Sequence, residues 1–220
     1  MSKLLLPLHP AVIEPFPVVD GGWQCVLADP PWRYHSYAPP RGEMRDRPSG
    51  REIERHYRTM LLQEIIDMPV RKVLARDCHL FLWTTGPYLE KCFAVARAWG
   101  FKYSGSGFVW IKLTKRSGDA QHELRTMEEW KALLHTGLGF TTRKNAEFCL
   151  LFRRGNARRI AKDIHEVIIS PRREHSRKPD ETFARIERYC AGPRLELFGR
   201  QQRPDWTVWG NQVDRFEVNT

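Results

Sequence analysis

The sequence predicts an α/β fold: three layers around a mainly parallel sheet. Short, nearly continuous apolar runs recur along the chain, as in strands buried on both faces. Segments with a 3.6-residue apolar pattern lie between them. Their alternation is the rhythm of βαβ units, which places helices on both sides of the sheet.

In chain order, strands are expected at Gln24–Ala28, His79–Thr84, Phe108–Lys112, Glu147–Phe152, His165–Ile169, Leu195–Phe198 and Trp206–Trp209. A helix over Thr59–Asp67 turns Leu62, Ile65 and Ile66 inward. A second, over Tyr88–Trp99, buries Leu89, Cys92, Phe93, Ala96 and Trp99 and stops at Gly100. A third covers Thr126–Leu134. A fourth, over Pro179–Cys190, opens on Pro-Asp-Glu, which suits a first turn, and faces Phe183, Ile186 and Cys190 inward. Two long connections, 34–58 and 113–144, interrupt the pattern. Both leave strands at the carboxyl end of the sheet, where open α/β sheets bind ligands.

Composition narrows the class. A chain of 220 residues, 41% hydrophobic, fits one domain with a full core. Its 8 Trp, 11 Phe and 6 Tyr exclude disorder throughout. No apolar run is long enough for a membrane span. The first residues are broken by Pro7, Pro10, Pro15 and Pro17 and do not read as a signal peptide. We expect an N-terminal extension over 1–22, the domain over 23–213 and a tail over 214–220. The five cysteines lack any CxxC spacing and read as buried thiols of a reducing cytoplasm. The histidines show no metal-ligand spacing, so no metal is expected. The net charge is +10, and residues 141–203 hold 16 Lys/Arg against 8 Asp/Glu. A polyanion is the natural partner, nucleic acid first; the alternative is a solubilising basic surface.

The sharpest motif is Asp29-Pro30-Pro31-Trp32, directly after the first strand. The prolines stiffen the turn and remove two N–H donors, while their carbonyls remain acceptors. A carboxylate, backbone carbonyls and an aromatic ring together suit a planar heterocycle with an exocyclic amine. The amino lone pair of adenine is delocalised into its ring and attacks a methyl sulfonium poorly. Hydrogen bonds from that amine to Asp29 and the Pro30 carbonyl would build electron density on nitrogen. Trp32 and Pro31 would hold the base by stacking, and in-line approach of a methyl donor would complete the chemistry. Such a base must first leave a duplex stack. Taken alone, the four residues could equally be a surface turn.

Asp29-Pro30-Pro31-Trp32 resembles the signature of the MT-A70 family of adenine N6-methyltransferases. The resemblance continues through Phe81–Thr85, Trp110-Ile111-Lys112, Lys178–Glu181, Glu196–Arg200 and Gly210-Asn211-Gln212, in family order. It implies a Rossmann-like methyltransferase domain with circularly permuted motifs, the catalytic strand first and the cofactor strand late. This accounts for the absence of an N-terminal GxGxxG loop. It also implies S-adenosylmethionine as the cofactor. Asp29 would touch the methionine amino group as well as the base, and Lys178 would pair with the methionine carboxylate. Arg200 would reach the ribose or nearby backbone, and Asn211 and Gln212 the ribose and adenine edges, amides offering both donors and acceptors. Tyr57, in a Tyr-x-Thr-Met stretch, would line the adenine pocket. Arg143 and Lys144, after a glycine-rich stretch, would meet phosphates. Arg41, Arg45, Arg47, Arg51 and Arg55 could track a backbone. His135 has no assigned role.

The expected function is therefore transfer of a methyl group to adenine N6 in nucleic acid, DNA favoured over RNA. The alternatives are an RNA adenine methyltransferase, a catalytically inactive nucleic-acid-binding partner subunit, and a cytosine N4 enzyme. The intact tetrapeptide argues against the inactive subunit. Monomer and homodimer are equally open.

Overall fold

A computed structural model describes residues 15–33, 59–117, 126–137, 142–174 and 177–216. The loop insertion at 34–58, with Tyr57 and the five arginines, lies outside them. The described strands are β1 (Trp23–Ala28), β2 (Leu74–Thr84), β3 (Lys102–Leu113), β4 (Ala146–Arg154), β5 (Val167–Pro171), β6 (Arg194–Leu197) and β7 (Trp206–Trp209). The helices are α1 (Leu62–Ile66), α2 (Leu89–Ala98), α3 (Met127–Leu133) and α4 (Glu181–Tyr189).

The strands form a seven-stranded sheet in the order β5-β3-β4-β2-β1-β6-β7. β4 runs antiparallel to both neighbours, β2 and β3. The other pairings are parallel. The expected mainly parallel α/β sheet is therefore the observed one. Each expected strand is present; the largest differences are at β2 and β3, which start earlier than their apolar runs. There the exposed polar residues Arg76, Asp77 and Lys102 hide the strand from a hydrophobicity pattern, while ladder pairing extends it.

Alternation along each strand splits the core. Val26, Ala28, Leu80, Leu82, Leu150, Phe152, Leu195 and Leu197 meet Ile65 of α1 and Cys92, Val95 and Ala96 of α2. On the opposite face Leu27, Phe81, Trp83, Phe108, Cys149 and Ile168 meet Phe183 and Ile186 of α4. These are the three expected layers. All five cysteines are buried free thiols, and burial pushes that of Cys92 up to about 12. Leu89, expected inward, is 37% exposed, because α2 begins only there, at its rim.

Helix ends follow local chemistry. α2 terminates at Gly100 with φ +90°, a conformation that favours glycine. α3 starts with a capping box: Glu129 N–H donates to Thr126 Oγ1 at 3.2 Å, and Thr126 N–H to Glu129 Oε2 at 2.8 Å. No helix among the described residues is long and apolar enough to cross a membrane.

Topology selects one crevice. β1 continues to β2 on one side, whereas β6, its neighbour on the other, continues to β7. Connections thus diverge between the carboxyl ends of β1 and β6, the switch point where such sheets bind ligands. Because β4 is antiparallel, its amino end also lies at this edge.

Candidate active site

Asp29 follows β1 directly and therefore stands at the switch point. Its Oδ2 accepts from Lys178 Nζ at 2.6 Å. Lys178, three residues before α4, lies 3.3 Å from Glu147 Oε2 as well. Glu147 in turn accepts from Lys112 of β3. The result is an alternating row, Lys112–Glu147–Lys178–Asp29, across the carboxyl edge of the sheet. Burial opposes ionisation of Glu147, but the ammonium groups of Lys178 and Lys112 outweigh it and hold the carboxyl below its ordinary range. Lys178 also lies over the ring of Trp83, 5.5 Å from its centroid.

An open pocket of about 470 Å³, mouth included, adjoins this row. Leu27, Asp29, Trp83, Lys178, Glu196 and Phe198 line it, together with Arg177, Arg200 and Arg203. Phe198 leaves β6 with φ +65°, a left-handed conformation uncommon for a bulky residue. It turns the chain into Gly199. A Cβ on Gly199 would collide with Val208 and come 3.0 Å from Glu196 Cδ. One on Gly210 would lie 2.8 Å from the Gly199 carbonyl oxygen. These glycines let the ends of β6 and β7 close together beneath the pocket.

Glu196 is half-buried at the pocket, and its enclosed Oε2 has no hydrogen-bond partner among the described residues. Burial pushes its carboxyl up to about 8, only partly offset by Arg203. The folded protein thus keeps a proton here that the unfolded chain loses near pH 4.5. Between about pH 4.5 and 8 the native state binds more protons than the unfolded one, so this residue makes stability fall as pH rises; above about 8 the cost levels off. Glu196→Gln removes that slope. We expect the variant to unfold several degrees above wild type at pH 9 and to differ little at pH 5. Thermal unfolding at the two pH values checks it; equal differences at both would refute the buried acid.

The structure thus gathers three sequence-predicted residues, Asp29, Lys178 and Arg200, on one pocket. The others stand elsewhere. Asn211 and Gln212 follow β7 and do not line it, and Gln212 accepts from Arg215 at 3.0 Å. Arg143 and Lys144 are exposed before β4, where Lys144 bonds Thr142 Oγ1. Tyr57 lies outside the described residues. His135 is partly buried beside Arg172 and Lys112, and burial together with their charge lowers its pKa.

Two expectations for the tetrapeptide need correction. The Pro30 carbonyl is not free: it accepts from Trp32 N–H at 2.8 Å, and the Pro31 carbonyl accepts from Met60 N–H at 2.8 Å. Trp32 is not an open stacking surface either. It is 4% exposed, its indole N–H donates to the Trp83 carbonyl, and its ring stacks on Tyr88 at 5.3 Å. The turn closes on itself because Pro30 and Pro31 supply acceptors without donors, and Trp32 fastens it to the core.

Sequence reasoning missed Glu147, Lys112 and Glu196. Only the reversed direction of β4 brings Glu147 to the site, and charge at a strand's first residues is unremarkable in sequence. Glu196 occupies an alternate position of a short strand, where a polar residue ordinarily meets solvent.

The MT-A70 family model matches residues 23–212, from β1 to beyond β7. A type II methyltransferase, M.MunI of a Mycoplasma species, is 28% identical over 217 residues, covering 90% of this chain and 82% of its own. The human N(6)-adenosine-methyltransferase catalytic subunit METTL3 is 30% identical over 198 residues, 88% of this chain. An MT-A70-like N(6)-adenosine-methyltransferase of Drosophila melanogaster is 30% identical over 200 residues. The chain spans only 29% and 28% of the length of these last two.

Proposed function

The chain belongs to the MT-A70 family, and on that premise we propose that it transfers a methyl group from S-adenosylmethionine to N6 of adenine in nucleic acid, with DNA favoured over RNA. The observation that carries the reading is Asp29 at the switch point, held by Lys178 on the wall of the pocket. The preference for DNA rests on span: the match covers 82% of the type II methyltransferase and under a third of the two N(6)-adenosine enzymes.

The pocket suits the cofactor chemically. Its lining combines apolar Leu27, Trp83, Phe183 and Phe198 with a few charged groups, the mix usual for ligand sites. Its orphaned carboxyl oxygen at Glu196 matches a hydroxyl donor such as a ribose. Among its cations, Lys178 is assigned to the methionine carboxylate and Arg200 to the ribose or nearby backbone. Asn211 and Gln212 stay assigned to the cofactor's ribose and adenine edges. Bound S-adenosylmethionine would supply an electrophilic methyl on a sulfonium.

The chain's own residues do the rest. Lys178 holds Oδ2 of Asp29, which leaves Oδ1 to accept an N–H of the adenine amine. That bond draws the proton toward Asp29 and raises electron density on N6. As the new N–C bond forms, the proton that N6 sheds is held at Oδ1. The second lone pair of the Pro30 carbonyl is available to the other N–H, and Pro31 gives the base a flat apolar contact. Trp32 works behind the turn and keeps it rigid, so the acceptors stay aimed without reorganisation. Arg143, Lys144 and Tyr57 are assigned to the nucleic acid around the base.

Labelled S-adenosylmethionine incubated with matched DNA and RNA oligonucleotides, followed by nucleoside mass spectrometry, tests the reading. N6-methyldeoxyadenosine from DNA is the expected product. N6-methyladenosine from RNA alone would reverse the substrate choice, and N4-methylcytosine would overturn the reaction.

A further inference from the structure

We propose that the end of the sheet opposite the pocket is a second nucleic-acid contact, a basic band that binds backbone phosphates flanking the base being methylated. It rests on the reading of nucleic acid as substrate but uses none of the residues assigned to the reaction.

Several elements bring cations to this end. α2 finishes with Arg97, and β3 opens on Lys102. β4 finishes with Arg153 and Arg154, and Arg153 is the register partner of Lys102. Arg71 precedes β2, and Arg76 lies near its start. Arg71, Arg76, Arg97, Lys102 and Arg153 are exposed, and Arg154 is half-buried.

Among the described residues none of these six cations forms an ion pair. Arg71 Nε and Arg154 Nη1 each lie 3.4 Å from the place a Cβ on Gly100 would occupy, so two guanidinium groups crowd one glycine corner. Arg154 Nη1 is buried and lacks a hydrogen-bond partner among the described residues. The nearby carboxylate, Asp77, is engaged by Asn156 N–H at 2.7 Å. Like charges so close together are poorly placed without an anion, and the exposed Arg71 is the member of the pair that can reach one. A phosphate suits them, since guanidinium forks bind its oxygens in pairs.

Distance supports a backbone rather than the reacting nucleotide. β2 has 11 residues and crosses the sheet. At about 3.3 Å per residue its two ends stand roughly 35 Å apart. An oligonucleotide of about five residues centred on the pocket does not reach the band, whereas one of about thirty does.

The test compares wild type with the variant Arg71→Gln/Arg97→Gln/Lys102→Gln, all exposed positions, and separately with Arg154→Gln. Binding of a thirty-nucleotide single-stranded DNA is measured across a salt series, and methylation of the five-nucleotide DNA alongside. Neutralising three cations that meet phosphates should lower the slope of log affinity against log salt by about 2. The triple variant should bind the long strand roughly tenfold more weakly at low salt and methylate the short strand like wild type. Arg154→Gln should show the same pattern with a smaller loss. Unchanged affinity and slope for the long strand in a folded triple variant would overturn the band, as would an equal loss with the short strand. Failure of wild type to methylate either strand would instead refute the proposed reaction, and the salt slopes would still decide the band.

Discussion

Asp29→Ala is expected to stay folded and to lose methyl transfer by a factor of at least about a thousand. The size follows from its role: one aimed acceptor in a preorganised site is worth on the order of 10² to 10³ in rate, and Asp29 also handles the departing proton. The fold should survive because its side chain is 26% exposed and lies outside the core clusters. Lys178 would keep Glu147 as a partner, so its charge is not left unpaired and the stability loss should be about 1–3 kcal/mol. Single-turnover rates at saturating cofactor, with thermal unfolding in parallel, measure both. A variant with near wild-type rate would refute the mechanism. A variant that unfolds at low temperature would mean that Asp29 holds the turn rather than the base.

Lys178→Met is expected to weaken S-adenosylmethionine binding by about a hundredfold, near 2.7 kcal/mol. It removes the cation between Asp29 and Glu147. Calorimetry of cofactor binding reads the first effect, and an unchanged Kd would cancel the assignment of Lys178. A second effect has a defined sign. The depressed carboxyl of Glu147 gives the folded state stability that is present above its unfolded pKa and lost as pH falls through the folded one. Removing Lys178 removes much of that depression. The variant should therefore trail wild type most at pH 7 and converge with it in acid, where Glu147 is protonated in both states. A melting-temperature gap independent of pH would show that Lys178 contributes by packing alone.

Arg200 separates binding from chemistry. Arg200→Ala should raise KM for the cofactor and leave kcat within a fewfold, since its proposed contact is to the cofactor's ribose and not to the base. A fall in kcat with KM unchanged would place it on the reacting groups instead.

Sequence alone determined the strands, the four helices and the position of Asp29. Each depends on local pattern: apolar runs such as Cys25–Ala28, the 3.6-residue period of α2, the stop at Gly100. Charge balance likewise pointed to a polyanion as partner, and the tetrapeptide to the turn proposed to be catalytic.

The tertiary structure decided which charges meet and which polar groups are buried. Glu147 joins Lys178 only because β4 is antiparallel, a pairing direction no local pattern encodes. Trp32 fits an open base platform as well as a core bolt until the position of Trp83 is known. Glu196 is a common polar strand residue until burial removes its water and raises its carboxyl to about 8. Local segments set backbone conformation through sterics and hydrogen bonding. Electrostatic and solvation energies depend on distances between residues far apart in the chain, and these exist only once the sheet has formed.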